Sequence, residues 1–245
     1  MNELLKEEKS IVTSIAGTTR DSIDSFLRYY KQDIRLIDTA GLRKKTKISG
    51  NIEFYSMVRT FRVINECDIA AVLIDAKKGF NNQDKDIIRY VIDSGKGLII
   101  VVNKWDLLEK DLYSQKEFHQ DIIDQYPMLS YYPILFISVV HNLRTREVLK
   151  MTLMVFKERQ KKIKTADVNE FIKKAMSYHS PPVTKGKSIT IKYGVQVRHS
   201  PPIFVFITNQ PSAIPAQYKR YLENSIRDHF GFEGVPIKIS FREKK

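Results

Sequence analysis

Four short, strongly apolar runs at residues 34–37, 69–74, 98–102 and 134–137 alternate with longer stretches of helical periodicity at 53–66, 83–93, 115–126 and 145–159. A strand that is apolar along its length must be covered on both faces, which is the condition of a parallel sheet flanked by helices. The alternation therefore predicts a doubly wound α/β unit in which these runs are central strands. Residues 25–31 read as an edge strand. Along 53–66, Phe54, Met57, Val58, Phe61 and Ile64 fall near helical spacing and are expected to face the sheet.

The pattern changes after a basic run at 157–164. Thr165 and Asp167 read as cap residues of a helix running to about Tyr178, so the boundary is placed between a unit of residues 1–164 and one of residues 165–245. Beyond Ser180, Pro181 and Pro182 come an alternating strand over 188–197, a break at Pro201 and Pro202, and an apolar strand over 203–207. A helix over 215–230, with Pro215 suited to its first turn, and a last strand over 236–241 follow. The order α, β, β, α, β makes a small α+β unit.

Lys and Arg number 41 against 28 Asp and Glu, a formal charge of +13 with a pI near 9.6. An anionic partner is expected, nucleic acid ahead of a membrane surface. The second unit is the denser in positive charge, with 13 basic against 6 acidic side chains, and Tyr193, Arg198 and His199 add stacking and hydrogen-bonding groups. Cys67 is single, which excludes an internal disulfide and, with five scattered His, a structural zinc site. No apolar stretch reaches the roughly 20 residues of a membrane helix. The charged start, residues 1–9, lacks a signal peptide's apolar run, so cytoplasm or an organelle stroma is the expected compartment.

Asp38, Thr39, Ala40 and Gly41 follow directly on the run 34–37, placing a carboxylate at a strand's carboxyl end, where open α/β sheets bind ligands. An Asp there suits magnesium, usually through water, and a Gly lets a backbone N–H approach a terminal phosphate. Alone, the tetrapeptide reads equally well as a small polar turn. Asn103, Lys104, Trp105 and Asp106 follow the run 98–102. A carboxylate there accepts hydrogen bonds from guanine N1–H and its exocyclic amine, a pair that adenine does not offer. Asn103 is expected to brace the loop and reach N7, and the Lys104 stem to cover the base face. The tetrapeptide alone is modest evidence; with residues 38–41 upstream, each motif on its own strand end, it is much stronger. Thr19, within Gly17, Thr18, Thr19, Arg20 and Asp21, could coordinate magnesium and sense a γ-phosphate, although that fragment alone reads better as an ordinary loop. Ser138 follows the run 134–137, where a backbone could contact guanine O6.

Residues 17–21, residues 38–41 followed by Leu42, Arg43, Lys44 and Lys45, and residues 103–106 together resemble the translation-factor-related GTPases. More narrowly they resemble the second GTPase domain of the Der (EngA) family of ribosome-assembly factors. Residues 180–182, 218–224, 230–234 and 236–237 resemble that family's C-terminal KH-like domain, so the resemblance covers essentially the whole chain. It implies a P-loop-type α/β GTPase domain with a mostly parallel, incomplete sheet, then a small α+β KH-like domain. It further implies GTP and GDP as ligands with Mg2+, a K+ near the phosphates, and a monomeric switch acting on the large ribosomal subunit or its precursor. Contact with rRNA would come through the basic C-terminal domain. Thr19 would serve catalysis and, with Asp38, the metal. Asp38, Thr39, Ala40, Gly41, Leu42, Asn103, Lys104, Trp105, Asp106 and Ser138 would bind nucleotide.

Departures from the pattern temper this. No Gly-x-x-x-x-Gly-Lys-Ser/Thr occurs; Gly186, Lys187 and Ser188 imitate its end, but Pro181 stands where the first Gly belongs. Residues 1–5 resemble the middle of the helix after a P-loop, so the first strand and the phosphate cradle are expected to be absent, with turnover weak and the sheet short of a central strand. Leu42 stands where Ras-like proteins carry a water-orienting Gln, and Ser138, Val139 and Val140 depart from the family's Ser-Ala-Leu or Ser-Ala-Lys. Gly231 to Gly234 has Gly-x-x-Gly spacing but lies between a helix and the last strand, and so reads as a turn and not as an RNA clamp. The rival reading is a nucleotide-independent RNA or ribosome-docking fragment. A dinucleotide-binding enzyme fails, because no Gly-x-Gly-x-x-Gly follows any strand.

Overall fold

A computed structural model of the chain describes residues 24–37, 52–108, 115–181, 183 and 188–243. An antiparallel hairpin, β1 (Asp24–Tyr29) and β2 (Gln32–Ile37), turns at Tyr30 and Lys31, both with positive φ. Helix α1 (Ile52–Glu66) leads to β3 (Ile69–Asp75), α2 (Asn82–Asp93) to β4 (Gly97–Asn103), and α3 (Gln115–Gln125) to β5 (Ile134–Phe136). Helix α4 (Thr145–Arg159) closes the first unit. The second comprises α5 (Thr165–Tyr178), β6 (Ile191–His199), β7 (Pro202–Thr208), α6 (Ala216–Phe230) and β8 (Lys238–Arg242).

Strands β3, β4 and β5 form one parallel sheet with β4 in the middle. Its run Leu98, Ile99, Ile100, Val101 and Val102 is almost wholly inaccessible. Alternation sends Leu98, Ile100 and Val102 into one cluster, with Ile88 and Val91 of α2 and Phe118 and Ile122 of α3, and Ile99 and Val101 into another with Val148 and Val155 of α4. Each such fully buried aliphatic side chain contributes roughly 2 kcal/mol of transfer free energy. Helix α2 starts sharply because Asn81 accepts from the N–H groups of Gln83 and Asp84 while Asp84 accepts from Asn81 N–H, a capping box.

The expectation of four central strands needs correction. Of the strands these four runs form, only β4 is paired on both sides among the described residues; β3 and β5 are edges, and β2 pairs only with β1 in a separate two-stranded sheet. Leu73 of β3 is 59% exposed, and β2 carries the exposed Arg35 in its centre, which no doubly covered strand would hold. In α1, Ile64 is buried as expected but Val58 is exposed. Thr165 and Asp167 are not caps: the N-cap is Lys164, with no side-chain cap hydrogen bond.

The second unit is a sheet of order β6-β7-β8, antiparallel then parallel, with α5 and α6 packed on it. Phe171 and Ile172 of α5, Phe204 and Phe206 of β7 and Leu222 and Ile226 of α6 share one cluster with the α4 face of the first sheet. The polar joins are equally direct. Arg159, nearly buried, donates to Asp68 Oδ1 at 2.8 Å and Ser200 Oγ at 2.6 Å. Glu158 Oε2 accepts from Phe232 N–H at 2.6 Å, and Arg227 lies over the rings of Tyr131 and Tyr132 while donating to Phe232 O. Residues 231–234 do form a turn, with Gly231, Phe232 and Gly234 at positive φ. That turn docks on the first sheet: Gly234 N–H donates to Tyr131 O and Gly234 O accepts from Leu98 N–H, both at 2.8 Å.

Candidate guanine-base site

The amino end of β4 carries the second unit, and its carboxyl end carries the motif residues. Asn103 ends the strand opposite Asp75 in register. Its side-chain oxygen accepts from Val139 N–H at 3.2 Å, tying this loop to the loop after β5; the bracing expected of it is there. Lys104 takes the left-handed conformation, φ 64°, and so turns the chain sharply after the strand. Trp105 N–H donates to Ile137 O at 3.1 Å.

Trp105 itself points inward. It is 6% exposed and packs edge-on against Phe118 and Phe136, with ring centroids 5.6 and 4.6 Å apart. Its place in the site is to anchor the turn of residues 105–107, not to touch a ligand through its ring. That anchoring sets the next side chain, Asp106, at the rim. The Ser138 hydroxyl bonded to Asp106 holds its carboxyl below the usual carboxylate range, outweighing desolvation, and His141 adds a smaller effect in the same direction. The Asp106 carboxylate is therefore ionised and oriented at neutral pH, an acceptor pair fixed beside Asn103.

Ser138 is fully buried, and its main chain is engaged both ways: its N–H donates to Leu143 O at 3.2 Å and its O accepts from Leu143 N–H at 2.9 Å. The Ser138 main chain expected near guanine O6 is thus paired within the loop, with Leu143. The exposed part of the loop is residues 140–144.

Two residues at this site escaped sequence reasoning. Asp75, at the carboxyl end of β3, accepts from Lys104 Nζ at 2.6 Å, which holds the Lys104 head. The Lys104 hydrogen bond is the main cause that lowers the Asp75 carboxyl below its ordinary value, against some desolvation. A depressed carboxylate stabilises the fold above its ordinary value near pH 4 and loses that contribution as pH falls through the folded value. A signal existed: an acidic residue ends an apolar strand level with Asn103. His141, with Nε2 3.6 Å from Asp106 Oδ2, had no comparable signal.

Thr19, Asp38, Thr39, Ala40, Gly41 and Leu42 lie outside the described residues, as do residues 17–21, 43–47 and 184–187. The two expected magnesium ligands are therefore not placed. Among the described residues no group of three His, Cys, Asp or Glu could hold a metal ion. At the carboxyl end of β4, Asp106 and Asn103 carry side-chain oxygens of the kind that could accept from a guanine base. No described helix is long and apolar enough to cross a membrane.

Known proteins bear on these residues directly. Residues 1–104 match the family described as a 50S ribosome-binding GTPase, and residues 162–242 match the KH-domain-like C-terminal domain of EngA bacterial GTPase enzymes. The GTPase Der of Flavobacterium psychrophilum is 42% identical over 244 residues, covering 100% of this chain and 56% of that protein. The GTPase Der of Chlorobium phaeobacteroides is 43% identical over the same shares. The chain thus spans about half the length of these curated relatives. Among solved structures, an Aquifex aeolicus Era bound to GDP and aluminium fluoride aligns with a TM-score of 0.47 and 18% identity, over 99% of this chain and 87% of that one. With a GTPase module and an EngA-type KH-like module in succession on one shared core, the chain resembles the Der (EngA) family of GTPases over its whole length.

Proposed function

We propose that this chain is a GTP-binding switch of ribosome assembly acting on the large subunit. The GTPase unit, residues 1–164, reads the nucleotide, and the KH-like unit, residues 165–245, docks on rRNA. The observation that carries the reading is the Asp106 carboxylate in the turn that ends the buried strand β4, a turn braced by the Val139 N–H bond to Asn103 and the Trp105 N–H bond to Ile137 O. Mg2+ is assigned to Thr19 and Asp38, and K+ to the phosphates. Thr19 also takes the catalytic role of sensing the γ-phosphate. The switch works as a cytoplasmic monomer. Intrinsic hydrolysis is slow, because Leu42, standing where Ras-like proteins carry a water-orienting Gln, cannot orient water.

The test is a thermal-shift titration with GDP, GTP and ATP, each with magnesium and potassium. A ligand that binds only the folded state stabilises it by about 2.7 kcal/mol at 100 times its dissociation constant. Guanine nucleotides are expected to raise the melting temperature and ATP to leave it unchanged; an equal response to ATP sinks the reading. Asp75→Asn, which frees the Lys104 head, should weaken GDP binding about threefold, the scale of an exposed ion pair, and lower the unliganded melting point slightly, by the stabilisation that the depressed carboxylate supplies. Unchanged GDP affinity would show that Asp75 plays no positioning role.

One observation favours the rival docking reading. Lys173, Lys192, Lys219 and Arg220 of the second unit are exposed independently of the base site, with Tyr193 available for stacking. That reading predicts rRNA binding that weakens with salt and ignores nucleotide.

A further inference from the structure

We propose that the cleft between the tip of the β1–β2 hairpin and the end of α4 binds one nucleotide of single-stranded RNA, with Tyr30 stacking on the base and Lys157 and Lys31 holding phosphate. The site lies apart from the motif at residues 103–106, makes no use of Asp106, and adds to the rRNA docking proposed for the second unit. The cleft measures about 430 Å³, inside the roughly 300–1,000 Å³ range of small-molecule sites, and its lining includes Tyr30, Gln32, Phe156, Lys157 and Gln160.

The cleft exists because the hairpin is shorter than the face it covers. Leu149, Leu153 and Phe156 recur at helical spacing along α4, with Gln160 just past its end. Leu27 and Tyr29 of the hairpin bury Leu149, and Ile34, Leu36 and Leu153 pack around them. The hairpin then turns back at Tyr30 and Lys31, so Phe156 faces the cleft and stays half-buried. These two turn residues have φ of 48° and 63°, in a two-residue connection that Asn and Gly ordinarily fill. A tyrosine and a lysine are strained there, and the strained turn presents an aromatic ring and an ammonium together. The Tyr30 ring stands perpendicular to that of Tyr29, centroids 4.7 Å apart, and is 79% exposed, so its flat surface is open to a planar group.

The charge left free at the cleft is positive. Of the basic run at 157–164, Arg159 is engaged by Asp68 and Ser200, and Lys161 by Glu158 Oε2 at 2.6 Å and Phe230 O at 2.8 Å. Glu158, the carboxylate in the lining, is thereby neutralised and also accepts from Phe232 N–H. Asp33, on the hairpin, is paired with Arg28. Lys31 and Lys157 are exposed and form no ion pair among the described residues. Gln32 and Gln160, both exposed, each offer an amide donor and acceptor to a base edge. An acidic peptide would satisfy the lysines but give the ring no planar partner; a single-stranded nucleotide brings a π-face and a phosphate together.

Anisotropy titration of the whole chain with a short, unstructured, labelled single-stranded RNA at graded salt tests this. Tyr30→Ala should weaken binding about tenfold, the scale of one base–aromatic stack, and Tyr30→Phe should retain wild-type affinity. Lys157→Gln should reduce the slope of log affinity against log salt by about 0.7, one phosphate contact on a single strand. Both side chains are exposed, so each variant should melt with the wild type. Wild-type affinity in Tyr30→Ala, or a loss in Tyr30→Phe equal to that in Tyr30→Ala, overturns this site. Tyr30-dependent binding of labelled polyglutamate as tight as that of the RNA overturns it too, in favour of an acidic peptide. If the double variant Lys219→Gln, Arg220→Gln loses RNA while Tyr30→Ala does not, the docking of the second unit stands and this site alone falls. No RNA binding by the wild-type protein removes both.

Discussion

Asp106→Asn should cost this chain at least about 100-fold in affinity for GDP and erase its preference over ADP, while leaving the fold intact. Guanine presents two donors, N1–H and the exocyclic amine, and an ionised carboxylate presents two acceptors to match them. An asparagine side chain turns one acceptor into a donor, so one pairing becomes donor against donor, and the buried-site penalty for such a mismatch reaches factors of 100 and more. The mutant also loses the charge that Ser138 stabilises. The fold should survive because Trp105, not Asp106, anchors the turn, through its contacts with Phe118 and Phe136. Calorimetric GDP titration alongside circular dichroism checks both halves. Retained guanine preference would mean that Asp106 does not read the base.

The reason this prediction could be framed from sequence at all is local. A strand as apolar as Leu98 to Val102 has one place in a parallel α/β sheet, and the polar residues that end it must sit at its carboxyl edge. What followed was less legible where a side chain's partner lies far along the chain. Trp105 stands inside the motif, yet its ring belongs to the core because α3 brings Phe118 to it. Asp75 and Lys104 meet only because β3 and β4 pair in a register that aligns Asp75 with Asn103. Ser138 was legible as a position but not as a role: the bridge to Leu143, which takes up its main chain and leaves the hydroxyl to Asp106, depends on a turn with two left-handed residues that are not glycine. The run ending at Ile37 reads as a central strand on its apolar count, but the exposed Arg35 within it marks a strand that is not covered on both faces. The turn at residues 231–234 announced itself through its glycines, but nothing local says that it docks on β4.

That docking carries the second large expected effect. Gly234 sits at φ +73°, and a Cβ there would lie 2.5 Å from Val155 Cγ2 and 3.2 Å from Leu98 O, in the gap where its N–H and C=O bind Tyr131 and Leu98. Gly234→Ala therefore combines left-handed strain of about 1 kcal/mol with overpacking against α4 of about 2 kcal/mol, roughly 3 kcal/mol in all. Gly79→Ala is the matched control: φ is +67°, but nothing lies within 4 Å of the added carbon, so only the strain of about 1 kcal/mol should appear. The readout is urea unfolding followed by fluorescence of Trp105, the single tryptophan, which lies in the cluster on the opposite face of the first sheet. Because α4, β4 and the second unit share one buried cluster, a strain introduced at residue 234 should lower the Trp105 midpoint as much as the circular dichroism midpoint. If the Trp105 midpoint stays put while the dichroism midpoint falls, the two units unfold separately. Gly234 would then be a contact between independent bodies, and the base loop at one end of β4 would not feel what binds the unit docked at the other.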